Sequence, residues 1–182
     1  MPGGRHRCGK RRRALKQQII LSGLGGQGVL FITRVLAEAA VLKGLEVLTS
    51  ETHGMAMRGG TVISHVKVGS FSSPLIRSGK ADIGIFLHPR GLQAHRGYIA
   101  GRDGIYVNTD KPGEYHGFDA TGLAAKLGSP VITNLVFLGH VVKTAELFCD
   151  DRTIREAIEK ISPSRQLELN VKGFETGLKG DL

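Results

Sequence analysis

Gly23-Leu24-Gly25-Gly26-Gln27-Gly28 spells G-x-G-x-x-G directly after the apolar run Gln17-Gln18-Ile19-Ile20-Leu21-Ser22. In that position the glycines allow a tight turn and a close backbone approach, and they aim helix N-terminal amides at an anion such as a phosphate. The same glycines also suit plain helix–strand packing, so the motif leaves both readings open. A dinucleotide site needs in addition an acid at the end of the second strand to hold the ribose hydroxyls. Glu51 meets that count, 23 residues after Gly28. Next comes Thr52-His53-Gly54-Met55-Ala56-Met57-Arg58-Gly59-Gly60, which sets His53 and Arg58 among glycines beside the presumed cleft. Arg58 suits a phosphate or carboxylate, or a salt bridge to a neighbouring loop or subunit. His53 by itself fits a structural hydrogen bonder better than a base.

No nucleophile–base pair is legible elsewhere. The serines lack an elbow motif, Cys149 reads as a buried core thiol, and no His/Asp/Glu cluster has metal spacing. Two cysteines, Cys8 and Cys149, make neither a disulfide framework nor an iron–sulfur site, which generally takes four ligands. The sequence therefore predicts no catalytic residue and no tightly bound cofactor in this chain.

The elements that must position these residues follow from periodicity. Val29 to Lys43 repeats apolar residues at helical spacing, Gly44 stops it, and Leu45 to Ser50 reads as a second strand. Together with the first strand this is one βαβ unit with an expected right-handed crossover. Thr61 to Val68 is rich in β-branched residues but interleaves Ser64, His65 and Lys67, which predicts an edge or half-exposed strand. Further strands are expected at Ala81 to Leu87 and Gly104 to Asn108, with a short extended piece at Gly117 to Ala120. Helices are expected at Arg90 to Tyr98, Thr121 to Leu127, Val131 to Phe148 and Asp151 to Ile161. A last helix runs from Pro163 to about Gly177. The fold class is α/β: a Rossmann-like, doubly wound, mostly parallel sheet with helices on both faces and a helical C-terminal third.

At 182 residues one domain is expected, residues 17–182, after a basic tail at 1–16. Aromatics are only 5%, so the core must be built from Val, Ile, Leu and Ala. The net charge of +9 is local: Arg5, Arg7, Lys10, Arg11, Arg12, Arg13 and Lys16 all lie in the tail. Removing those seven of 25 basic residues leaves 18 against 16 acids, or +2. The tail has no aromatic residue to stack bases and reads as a disordered extension, so no nucleic-acid partner is expected. It lacks the apolar run of a secretory signal, and no stretch suits a membrane span. A cytoplasmic setting is expected.

Gly23 to Leu30, Ser50 to Met55 and Arg58-Gly59-Gly60-Thr61-Val62-Ile63-Ser64-His65-Val66 resemble the gamma-type domain of the 2-oxoacid:ferredoxin oxidoreductases. The match continues through Ser73 to Ile76, Gly79 to Asp82, Asp119-Ala120-Thr121, Asn134 to Gly139 and Leu167 to Glu175, covering residues 17–178 in collinear order. Within the family the His-Gly-Met, Arg-Gly-Gly and Ser-His-Val runs are most similar to the small subunits of the indolepyruvate enzymes. Met57 departs from the family's more usual Gln and puts a polar contact beside Arg58 in doubt.

The resemblance implies a subunit, not catalytic alone, of a complex that decarboxylates an aryl pyruvate, passes electrons to ferredoxin and forms an acyl-CoA. Thiamine diphosphate and [4Fe–4S] clusters are then expected in a large partner subunit, with CoA as co-substrate. In isolation the chain is open to homodimerisation. The candidate anion-binding set is Gly23, Gly25, Gly26, Gly28, Glu51, His53, Arg58, Gly59, Gly60 and Asn134. A gamma subunit for 2-oxoglutarate or another 2-oxoacid, or a free-standing NAD(P)-binding oxidoreductase using Glu51, remain alternatives.

Overall fold

The computed structural model describes residues 15–52 and 60–180. Six strands form one sheet: β1 (Gln17–Leu24), β2 (Val47–Thr52), β3 (Thr61–Val68), β4 (Ile83–Phe86), β5 (Ile105–Asn108) and β6 (His116–Phe118). Their order is β2-β3-β1-β4-β5-β6. The helices are α1 (Val29–Leu42), α2 (Pro89–His95), α3 (Ala120–Lys126), α4 (Thr133–Thr144), α5 (Asp151–Ile161) and α6 (Leu167–Lys179). The α/β class and the helical last third stand as expected.

The sheet is mixed. β1, β4, β5 and β6 pair in parallel, whereas β3 runs antiparallel to both β1 and β2. The crossover through α1 therefore skips a strand, because β3 folds back between β1 and β2. This corrects the reading of Thr61 to Val68 as an edge strand. Ser64, His65 and Lys67 look solvent-facing in the sequence, yet all three are buried.

The reason is that each face of β3 is covered. Val66 and Val68 join Ile19 and Leu21 in the main core under α1, α4 and α5. On the opposite face Ile63 packs with Ile20, Ile76 and Ala81. There His65 finds polar company. Its Nδ1 accepts the Ile76 N–H at 3.2 Å, and its ring meets Tyr98 edge-on with centroids 5.3 Å apart. A buried polar side chain is tolerable when so paired.

The helical third is also cut differently. The apolar stretch from Val131 does not run to Phe148: a 3-10 turn at Pro130–Ile132 leads into α4, which stops at Thr144. Ala145 turns extended, and Cys149 ends up buried with its thiol pushed up to about 12, by burial first and then by Asp150. Asp150 caps α5 as expected, its Oδ1 accepting the Thr153 N–H at 2.9 Å.

Three histidines make stability depend on pH. Burial holds His65 below the usual imidazole value of 6.5, with His95 and then Lys67 adding repulsion. Burial likewise lowers His95 and His140. The unfolded chain therefore binds more protons than the folded one once pH falls below about 6.5. Their contribution is complete above that value and is lost as pH drops through the folded pKa values. The melting temperature should fall between pH 7 and about 5.5, where carboxylates stay ionised. His65→Gln should flatten that slope; an unchanged slope in melts across this range would refute the assignment.

Candidate anion site at the glycine turn

β1 runs two residues further than the apolar run suggests, through Gly23 and Leu24, so the turn begins at its C-terminal end. The turn then closes on itself. Gln27 Oε1 accepts the Leu24 N–H at 2.7 Å, and the Gln27 N–H donates to the Leu24 carbonyl at 3.1 Å. Gly26 and Gly28 both take left-handed backbone, φ 91° and 80°. That conformation is costly for any residue with a Cβ.

Gly28 is the residue before α1, and no side chain caps this helix. Its first turn, Val29-Leu30-Phe31, carries no acid. A 14-residue helix begun this way presents unsatisfied amides and a partial positive charge. Two of the turn amides are already used, Gln27 within the turn and Gly25 on the Gly60 carbonyl at 3.0 Å. Among the described residues, no partner takes the amides of Gly26 and Gly28.

Facing them is the start of α4. Asn134, second residue of that helix, is only 9% exposed. Its Oδ1 accepts the Leu135 N–H at 2.9 Å, and its Nδ2 points at Gly28, where it would overlap any Cβ. Two hollows of about 260 and 250 Å³ share Gly26, Gln27, Val131 and Asn134. The first is completed by Phe31, Leu169 and Asn170; the second by Leu87 and Thr121. Leu87 follows β4, so the hollows lie at the carboxyl ends of β1 and β4, where the chain winds in opposite directions. This is where ligands of open α/β sheets are bound.

Of the expected residues, the structure brings Gly23, Gly25, Gly26, Gly28, Gly60 and Asn134 together. Glu51 does not join them. It sits in β2, opposite Ser64, two strand spacings or about 10 Å from β1 because β3 intervenes. An acid on the neighbouring strand, as ribose binding needs, is thereby missing, which weighs against NAD(P). His53, Arg58 and Gly59 lie outside the described residues.

The sequence reading missed Phe31, Val131, Leu169 and Asn170 in the wall, and also Asn108. The latter is buried where β5 ends, and it locks the strand ends to α3. Its Nδ2 donates to the Leu87 carbonyl and Thr121 Oγ1, and its Oδ1 accepts the Ala120 N–H. An Asn closing an apolar strand was the available signal.

The described residues contain no group of three or more His, Cys, Asp or Glu able to hold a metal ion, and no helix among them is long and apolar enough to cross a membrane. Among the described residues the site is thus a hollow of amide and carboxamide donors, suited to binding, with no His, Cys, Asp, Glu or Lys in its lining.

The family model of pyruvate ferredoxin/flavodoxin oxidoreductase matches residues 18–180. The indolepyruvate oxidoreductase subunit IorB of Archaeoglobus fulgidus is 31% identical, over 90% of this chain and 94% of its own length. The 2-oxoglutarate synthase subunit KorC of Methanocaldococcus jannaschii is 26% identical, over 91% and 96% respectively. Among solved structures, the keto/oxoacid ferredoxin oxidoreductase gamma subunit of Geobacter sulfurreducens superposes with a TM-score of 0.72 at 25% identity, over 90% of this chain and 97% of that one. In sequence and in fold, therefore, this chain belongs to the pyruvate ferredoxin/flavodoxin oxidoreductase family.

Proposed function

We propose that the chain is the small subunit of an indolepyruvate-type 2-oxoacid:ferredoxin oxidoreductase, and that its glycine-turn hollow holds an anion from CoA or from a partner carboxylate. The assembly would decarboxylate an aryl pyruvate oxidatively to its acyl-CoA and reduce ferredoxin. Indolepyruvate subunits among the relatives are 26–31% identical and 2-oxoglutarate subunits 24–26%, which leans towards the aryl substrate.

Thiamine diphosphate and the [4Fe–4S] clusters are assigned to a large partner subunit. This chain's two cysteines are too few for one cluster, and Cys149 is a buried thiol pushed up to about 12. This chain's part is then orientation and electrostatics around chemistry carried by its partner.

The observation that carries the reading is the meeting of the uncapped α1 terminus with the buried Asn134 carboxamide across one hollow. Fixed amide donors of this kind favour an oxyanion. Arg58, two residues before Gly60 in the sequence, is expected to add a guanidinium.

The test is a complex reconstituted with its large subunit. Arg58→Ala and Asn134→Ala should each raise the apparent KM for CoA about tenfold, as loss of a charge-assisted hydrogen bond implies, or weaken subunit association to a similar degree. If both measurements stay unchanged in both variants, the proposal fails. Micromolar NAD(H) binding by the isolated chain would favour the free-standing oxidoreductase instead.

A further inference from the structure

At the far end of β1, seven residues or about 20 Å from the glycine turn, a second hollow has a different character. It measures about 260 Å³ and is lined by Lys67, Phe71, Ser72, Ser73, Arg77 and Lys80 among others, with no acid in its wall. Lys67 is the unusual member. It lies in the interior strand β3, is 8% exposed, and forms no ion pair with any described carboxylate. Lysine is almost never so buried without a partner, because the ammonium gives up its hydration.

Its one visible compensation is the Phe71 ring, 5.0 Å from Nζ to the centroid. Lys16 approaches the same ring at 5.1 Å. Two ammonium groups sharing one ring repel each other, and a cation–π contact contributes only about 1 kcal/mol. Asp82, beside β1, is not in the wall; its carboxylate accepts the Gln18 N–H at 2.7 Å. Packing alone gives no reason for this cluster, since an apolar residue would fill the position of Lys67 at less cost.

We infer that this hollow is a phosphate-binding site. Lys67 supplies a fixed charge at its base, Arg77 and Lys80 line it from the exposed 77–80 segment, and the Ser72 and Ser73 hydroxyls add donors. Several donors converging from different sides suit a tetrahedral dianion better than a single carboxylate. The inference does not depend on the function proposed for the glycine turn, which lies at the other end of the strand.

Calorimetric titration of the full chain at low salt with inorganic phosphate and with pyrophosphate tests it. Binding with a Kd below about 1 mM is expected. Pyrophosphate preferred over phosphate would point to a diphosphate ester as the natural source, and equal affinity to a monoester. Lys67→Met should weaken binding about tenfold and Arg77→Ala several-fold, as expected for losing a charged donor. Arg152→Ala, exposed on α5 and outside both hollows, should change nothing. Circular dichroism checks the fold of Lys67→Met, and Arg77→Ala, on the surface, tests the site if that variant misfolds. The inference is overturned by absence of binding, by affinity unchanged in both basic-residue variants, or by an equal loss of binding in Arg152→Ala. It is equally overturned if a glutamate-rich peptide binds more tightly than pyrophosphate.

Discussion

Gly177→Ala should lower the melting temperature by about 10 °C, although alanine is the better helix former by about 1 kcal/mol. The cause is the crossing of α4 and α6. A Cβ at Gly177 would overlap the Val136 carbonyl oxygen and stand 3.0 Å from the His140 nitrogen. From the other side, a Cβ at Gly139 would overlap the Phe174 carbonyl oxygen and meet the Leu178 nitrogen at 2.9 Å. The two backbones touch there, with no flexible side chain to give way. To admit a methyl group the helices must separate, opening gaps around Val136, Leu135 and Phe174, all fully or almost fully buried. Overpacking of this kind costs roughly 3 kcal/mol, and a chain this long loses about 2–4 °C per kcal/mol. Gly101→Ala is the control: a Cβ there meets nothing within 4 Å, so its melt should match the parent. If Gly177→Ala melts with Gly101→Ala, the close crossing is refuted.

That crossing also bears on the anion site. Leu169 and Asn170 of α6 and Asn134 of α4 line the same hollow, so displacing one helix moves the wall. A role for Gly139 and Gly177 was not legible in the sequence, where both read as incidental glycines within or closing apolar helices. Helical periodicity shows which face is apolar but not how near the partner's backbone comes.

What the sequence does reveal is governed by locality. α1 and α5 appear within one residue of expectation because caps and the 3.6-residue repeat act over a few residues. Lys43 and Gly44 close α1, and Asp150 opens α5. The glycine turn is legible for the same reason, since its conformation depends on Gly26 and Gly28 themselves. The position of β3 is different. Whether His65 and Lys67 meet solvent depends on the Ile76–Tyr98 segment folding over their face, and whether Ser64 does depends on the helices over the other, contacts distant in sequence. Local patterning therefore put β3 at the edge, and with it misjudged Glu51: without β3 in between, that acid would stand beside the turn. Asn134 shows a third case. It is unremarkable in an apolar helix and entered the candidate set through family resemblance; its role becomes physical only when α4 is seen to aim it at Gly28.

The pair Gly28 and Asn134 supports the second large prediction, because a neighbouring glycine separates strain from collision. Gly26→Ala and Gly28→Ala both force alanine into left-handed backbone, at about 1–2 kcal/mol. A Cβ at Gly26 meets nothing within 4 Å, whereas one at Gly28 overlaps Asn134 Nδ2 and lies 3.2 Å from its Cγ. Gly28→Ala should therefore be the more destabilising by roughly a further 2 kcal/mol, since Asn134 is buried and must leave its rotamer. In denaturant unfolding, Asn134→Ala should remove most of that excess, so the double variant is more stable than the sum of the single changes predicts. The coupling should also appear in function. Gly28→Ala alone displaces the carboxamide and blocks the amides of the turn, so it should weaken the CoA dependence of the reconstituted complex at least as much as Asn134→Ala does. Additive stabilities would mean that Asn134 does not press on Gly28. Coupled stabilities with unchanged CoA dependence would leave the contact in place as packing and remove the hollow from the binding path. The stability cycle therefore tests the geometry, and the CoA titration tests what the geometry is for.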